Sequence, residues 1–332
     1  EDRVSWPLEV RDLGAASDPD TGLALELRAA ARAPFALDRG PLVRAVLFVT
    51  GDDVQHLLLV IHHSVTDATS NHLLFADLAA LLAGKALPPP AGTYPAFVGR
   101  QRAGRPGQLA DLAWWRRQLA DAPGLLDLPT DRPRPAEQDF AGAWVERTLS
   151  PAIAAGVGRL ARDLGCTPFM VLLAGFKALL HRYAGATDVL VGTPVEGRLT
   201  ADMEDVVGLF INTLVLRTDL GGDPAFAAVL ARVRETTLDA QAHQEVPFEQ
   251  VVEAIAPDRS LARSPLFQVM FNLVQLPVTT LEAGPVALTM DRLVEQGVSS
   301  FDLTLTAGVR PDGIGLTFEY ATSLFDGETI EE

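Results

Sequence analysis

Cysteine is nearly absent from this chain: Cys166 is the only one among 332 residues. An internal disulfide and a cysteine-based metal cluster are therefore excluded. Between Gly165 and Thr167-Pro168 this cysteine reads as a small residue at a helix entrance, not as a nucleophile. Lysine is almost as scarce, since Lys85 and Lys177 are the only two and the remaining basic residues are arginine. Positive charge as a whole is in deficit, with 27 basic against 43 acidic side chains and a net charge of -16. Such a surface repels phosphate backbones and anionic lipid, so general nucleic-acid or membrane binding is disfavoured. No apolar run is long enough to cross a bilayer, which takes about 20 residues. The longest, residues 169–180, is interrupted by Lys177, and Glu1-Asp2-Arg3-Val4 shows no apolar signal region. A cytoplasmic protein is expected. What is present is ordinary for a folded chain: 48% apolar and 21% charged residues. At roughly 100–200 residues per domain the length predicts two domains, or one large one.

Hydrophobic periodicity sets the order of elements. Helical spacing covers 23–33 and stops at Pro34. Strands at 42–50 and 54–61, joined by Gly51-Asp52-Asp53, read as a hairpin. That apolar run ends in His62-His63-Ser64-Val65-Thr66-Asp67, and helical spacing resumes from Leu73 to Leu82, closing at Gly84. Leu87-Pro88-Pro89-Pro90-Ala91-Gly92 breaks the composition, a helix with Trp114 and Trp115 spans 108–120, and a second proline-rich stretch covers 128–135. Such stretches read as extended connectors, which places a domain boundary near 138 and gives domains 1–138 and 139–332. The second half predicts a strand at 143–149 and helices at 151–164 and 168–183. Strand 188–192 follows, then a loop to Arg198, strand 209–218, helices 224–242 and 247–255, and a β-rich stretch from 266 to about 320. Strands and long helices in both halves predict an α+β or α/β architecture of two lobes.

His62-His63-x-x-x-Asp67 stands where a hydrophobic strand turns toward a helix. In an extended segment adjacent side chains point to opposite faces, so the two imidazoles cannot share one role. One is expected to brace the loop and the other to face a cleft, where a neutral histidine accepts and returns a proton. Zinc is the rival chemistry, but His56, His72, His181 and His243 are scattered and none has a close partner at ligand spacing. Spacing alone leaves two satisfied turn histidines as an equal reading.

Five motifs in order carry a resemblance. Ile61-His62-His63-Ser64-Val65-Thr66-Asp67-Ala68-Thr69-Ser70 resembles the H-H-x-x-x-D-G core of condensation domains of nonribosomal peptide synthetases. Gly192-Thr193-Pro194-Val195-Glu196-Gly197-Arg198 matches the loop bearing that family's arginine. Val207-Gly208-Leu209-Phe210-Ile211-Asn212-Thr213 resembles V-G-x-F-[VI]-N-T, and His243-Gln244-Glu245-Val246-Pro247-Phe248-Glu249 resembles H-Q-D-x-P-F-E. Asp258 to Leu266 resembles R-D-x-S-R-N-P-L with one extra residue. The chain departs from the family in several places. The two earliest motifs and the final helix have no counterpart, Ala68 replaces a glycine, Thr69 replaces a common aromatic, and the tyrosine motif is degraded to Tyr94-Pro95-Ala96-Phe97-Val98.

The resemblance implies an α/β sandwich of two chloramphenicol acetyltransferase-like lobes forming a V, with the active site in a tunnel between them. It implies a first lobe lacking its beginning, and hence either further residues upstream of Glu1 or an exposed apolar sheet face. The implied reaction joins a donor acyl or peptidyl thioester to the amine of an acceptor aminoacyl thioester. Both arrive on phosphopantetheine arms of carrier proteins, an adenylation domain is the neighbour, and the domain itself holds no cofactor. His63 is then the residue that orients or deprotonates the amine, His62 the brace, and Asp67 the partner of Arg198. Asn212, Ala68 and Ser70 line the substrate tunnel, with the Ala68 N–H as an oxyanion donor. If the glycine position needs positive φ, Ala68 restricts the loop. Two further functions fit the motifs: a non-catalytic relative that recruits a partner enzyme, and a coenzyme A-dependent acyltransferase of the same superfamily.

Overall fold

The computed structural model describes residues 8–14, 19–51, 54–255, 260–275, 280–290, 294–310 and 313–332. Asp52 and Asp53 of the expected turn, and Asp258 and Arg259 of the last motif, lie outside the described residues. The chain divides into two compact units, one built from 1–94, 200–210 and 279–297, the other from 95–199, 211–278 and 298–332.

The first unit is organised on a three-stranded sheet, β1 (Glu9–Asp12), β2 (Val43–Val49) and β3 (Gln55–Ile61), in that spatial order. β1 runs parallel to β2, and β2 pairs antiparallel with β3 through Val46↔Leu58 and Phe48↔His56. Val46, Phe48, Leu58 and Val60 alternate onto one face and bury against Leu23, Leu27 and Ala30 of α1 (Pro19–Arg32). The other face leaves Val10, Leu57 and Leu59 exposed. β3 runs into α2 (Ala68–Leu82), which packs on the hairpin β8 (Thr280–Ala283) and β9 (Val286–Thr289).

The second unit holds a six-stranded mixed sheet. Its strands are β4 (Gly142–Leu149), β5 (Asp188–Val195), β6 (Asn212–Asp219), β7 (Val269–Gln275), β10 (Leu303–Arg310) and β11 (Gly313–Ala321), in the spatial order β4-β11-β10-β7-β5-β6. β7 is parallel to β10 and β5, and the remaining neighbours are antiparallel. Helices α5 (Pro151–Asp163), α6 (Pro168–Ala184) and α7 (Phe226–Ala242) pack onto this sheet, with Phe169 and Phe176 of α6 against Phe271. Ser150 and Thr167 cap α5 and α6 by accepting from Ile153 and Met170 N–H groups, with proline in each first turn.

The expected boundary near 138 is not where the chain divides. α3 (Tyr94–Ala103) and α4 (Gln108–Gln118) lead into the second unit, where Trp115, Leu119 and Leu126 join its core. The proline-rich stretch 128–135 is bound to that unit as well. Asp131 and Arg132 donate backbone N–H bonds to Leu324 O at 2.9 and 3.2 Å, and Arg134 grips Asp302 with both guanidinium ends. Proline here marks a chain lying on a surface it is hydrogen-bonded to, not a connector between domains. Among the described residues no single helix is long and apolar enough to cross a membrane.

Candidate functional site

The hydrophobic alternation of β3 ends at Ile61, and the chain turns at once. His62 stays extended at φ -66° and ψ 132°, and its Nδ1 accepts the Ser64 N–H at 3.2 Å, capping a one-turn 3-10 helix over His63–Val65. A backbone N–H can only donate, so His62 Nδ1 carries the lone pair and Nε2 the proton. The ring also meets the edge of Phe35 at 6.1 Å. His63 has the opposite arrangement. Its Nδ1 lies 2.6 Å from Thr66 O, and a carbonyl can only accept, so Nδ1 holds the proton and Nε2 the lone pair. No described residue bonds Nε2, and His63 is exposed. Adjacent histidines thus hold opposite tautomers, each set by a backbone group.

Asp67 begins α2. Its backbone is extended, φ -134° and ψ -178°, while Oδ1 accepts Ser70 N–H at 2.8 Å as an N-cap. Oδ2 accepts Phe210 N–H at 2.9 Å, and the residue is 1% exposed. Burying a carboxylate is costly unless its oxygens are hydrogen-bonded, and here backbone donors reach both. Thr66, also buried, donates its hydroxyl to Asn71 Oδ1 at 2.7 Å. Tyr94 donates its hydroxyl to Leu209 O at 3.0 Å and meets Phe210 edge-on at 5.3 Å. Burial, and secondarily the Asp67 charge, push the Tyr94 phenol upward.

Ala68 is the first residue of α2, and positive φ among described non-glycine residues occurs only at Asp121, Phe140, Asp223 and Leu266. The alanine therefore strains nothing, and the concern raised by the missing glycine is answered. Ser70 is committed to backbone partners. It is 0% exposed, donates its hydroxyl to Gly208 O at 2.8 Å and accepts Gly208 N–H at 3.0 Å. Asn212 is committed in the same way. Its two amide protons go to Gln244 O and Val246 O at 2.8 and 2.7 Å, and its oxygen accepts Phe248 N–H at 3.0 Å. That side chain fastens the start of β6 to the start of α8 (Phe248–Ile255), a role its strand position had left open.

His243, in the same segment, points its Nδ1 at Asp111 Oδ1 (2.6 Å) and stacks on Trp114 with ring centroids 4.3 Å apart. Trp115 donates its indole N–H to His243 O at 3.0 Å. Arg198 lies half-buried beyond the end of β5, in the second unit. Thr66, Asn71 and Tyr94 went unread in the sequence as site residues. The only signal available for Tyr94 was the degraded motif around it, whereas Gly208 stood within the V-G-x-F motif.

The Condensation domain family model matches residues 1–332. A linear gramicidin synthase protein of Brevibacillus parabrevis is 42% identical over 343 aligned residues, which cover 99% of this chain and 4% of that protein. Phosphinothricin tripeptide synthetase PhsB of Streptomyces viridochromogenes is 40% identical over 343 residues, covering 100% of this chain and 29% of that protein. This chain thus spans less than a third of the length of either relative. Among solved structures, the four-domain nonribosomal peptide synthetase holo-AB3403, bound to AMP and glycine, superposes with a TM-score of 0.89. The identity is 26%, over 99% of this chain and 26% of that one. The X-domain from teicoplanin biosynthesis, in complex with OxyB, gives 0.85 at 27% identity over 98% of this chain and 74% of that one.

Proposed function

Because this chain belongs to the condensation-domain family, we propose that it joins a donor acyl or peptidyl thioester to the amine of an acceptor aminoacyl thioester. Its α+β fold is the chloramphenicol acetyltransferase-like fold of that family. Both substrates are presented on phosphopantetheine arms of carrier proteins, and an adenylation domain supplies the activated amino acid. The observation that carries this reading is the His63 Nδ1–H bond to Thr66 O, which leaves Nε2 as a proton acceptor on an exposed ring.

The acceptor nitrogen attacks the donor carbonyl carbon, whose π electrons move onto oxygen. Nε2 takes the proton that the nitrogen sheds. When the carbonyl re-forms, the C–S bond breaks and the proton returns to the departing thiolate, so no other reactant is consumed. The Ala68 N–H, in the first turn of α2, is a donor suited to the transient oxyanion. A thioester is already activated, so holding the two arms together supplies up to about 7–11 kcal/mol of the barrier reduction. Proton transfer through His63 adds about 10²–10⁴-fold.

The test is single-turnover amide formation between loaded donor and acceptor carriers. His63→Ala is expected to fold as wild type and to lose about 10²–10⁴ in rate. An equally active His63→Ala protein would leave positioning as the whole mechanism. The likeness to an X-domain solved with OxyB favours recruitment as the second reading. It would be supported if the wild type turned over no loaded pair yet bound a partner enzyme tightly.

A further inference from the structure

The V-G-x-F segment and the degraded tyrosine motif play no part in the proton transfer. Within the first unit they meet at the H-H-x-x-x-D turn. Resting on the amide-forming reading, we propose that Ser70, Tyr94 and Gly208 are positioning residues for His63: they fix segment 207–210 against Asp67 and so lock the His63 tautomer. The histidine does not set its own proton. Its Nδ1–H points at Thr66 O, and that carbonyl is aimed by the backbone of Thr66 and Asp67. Both residues are extended, φ -152° and -134°, and join two helix ends through Thr66 N–H on His63 O at 3.5 Å and Asn71 N–H on Asp67 O at 3.0 Å. Side chains add to this hold: Thr66 Oγ1 on Asn71, the Asp67 cap, and the Phe210 N–H on Asp67 Oδ2.

The last of these bonds comes from 143 residues away in sequence, so it exists only if the backbone at 208–210 is held close. Two groups hold it. Ser70, at 0% exposure, exchanges both hydrogen-bonding directions with Gly208. Tyr94 closes the other side, with its hydroxyl on Leu209 O and its ring edge-on to Phe210. Gly208 has no room for a side chain, because a Cβ there would stand 2.2 Å from the nearest Tyr94 ring carbon. Glycine is required here for close approach, not for a special φ. The packed unit of Tyr94, Gly208, Ser70 and Asp67 is therefore one device whose output is the direction of the Thr66 carbonyl. Misplacement by about 1 Å at a reacting group costs on the order of 10²-fold in rate.

The experiment compares Ser70→Ala, Tyr94→Phe, Gly208→Ala and Gly208→Ala/Tyr94→Leu in the full protein. It uses two readouts: turnover with loaded carriers, and the side-chain 15N spectrum of His63. Gly208→Ala is expected to lower kcat about 10²-fold at little-changed KM for either carrier, and to mix the His63 tautomers. Removing the ring in the double variant makes room for the added methyl and should recover about tenfold of that loss. Ser70→Ala and Tyr94→Phe are expected to fold and to show smaller kcat losses with the same spectral change. The spectrum needs no turnover, so it judges this proposal even if the wild type forms no amide. A pure Nδ1–H His63 in folded Ser70→Ala and Tyr94→Phe would overturn it, as would a double variant no better than Gly208→Ala.

Discussion

Lys177 sits at 0% exposure on the inner face of α6, where an ammonium should be expensive. Three acceptors offset the expense: Val189 O at 3.2 Å, Leu216 O at 2.5 Å and Thr218 Oγ1 at 2.9 Å. They match the three donors of a lysine and fasten α6 to β5 and β6. Burial still lowers its pKa from 10.5 to about 7, against the opposing pull of Asp188. Between those values the unfolded chain binds a proton that the native one does not, so stability from this group rises with pH. Below about pH 7 both states are charged and the native state bears the full penalty. Relative to Lys177→Met, the wild type should therefore gain about 1.4 kcal/mol per pH unit from pH 7 toward 9 in denaturant unfolding. A stability difference that is flat with pH would show that the ammonium stays charged throughout. In the sequence this residue was legible only as an interruption of an apolar run. Its three acceptors come from strands that lie far along the chain from one another.

At the scale of elements, periodicity located most helices and strands to within a few residues, and the failures have local causes. α2 begins at Ala68, five residues before its apolar repeat, because its first turn is polar and the start is fixed by the Asp67 cap. β6 begins at Asn212, not 209, since Gly208 and Phe210 are spent on Ser70 and Asp67. α3 was not expected at all: residues 94–98 were read only as a degraded tyrosine motif, and proline is tolerated in a helix's first turn. The same geometry decides what Ala68 does. Its φ is not in the left-handed region, so restoring glycine relieves no strain. Ala68→Gly is expected to leave amide formation unchanged and to cost α2 about 0.5–1 kcal/mol through added backbone freedom. Thermal melting and turnover on one preparation check both halves. A rate gain above a few-fold would mean that the substitution in this chain limits catalysis.

For the whole molecule, no local pattern hints that each unit is assembled from three stretches of chain. Periodicity reports elements, and the proline-rich stretch looked like a boundary because extended connectors and surface-bound segments share a composition. What returns residues 200–210 to the first unit is packing: Met203, Val206 and Phe210 are buried, and Gly92 lies so close to Asp202 O that it admits no side chain. Residues 279–297 return likewise, Val294 to the α1–sheet core and Glu295 to Arg28 at 3.4 Å. A fragment of residues 1–138 would lack all of these and would leave Asp67 without its Phe210 donor. It would also strip Trp115 and Leu119, both 1% exposed, from the second unit's core and present them to water. Burying a large apolar side chain is worth about 1.5–3 kcal/mol, and domain stability is only about 5–15 kcal/mol, so losses on this scale cannot be absorbed. The fragment is therefore expected to show no cooperative thermal transition and to bind a hydrophobic dye, while the 332-residue chain melts cooperatively. A sharp melting transition in 1–138 alone would mean that the first unit closes its core without the later segments, and that the division of the chain falls at the prolines after all.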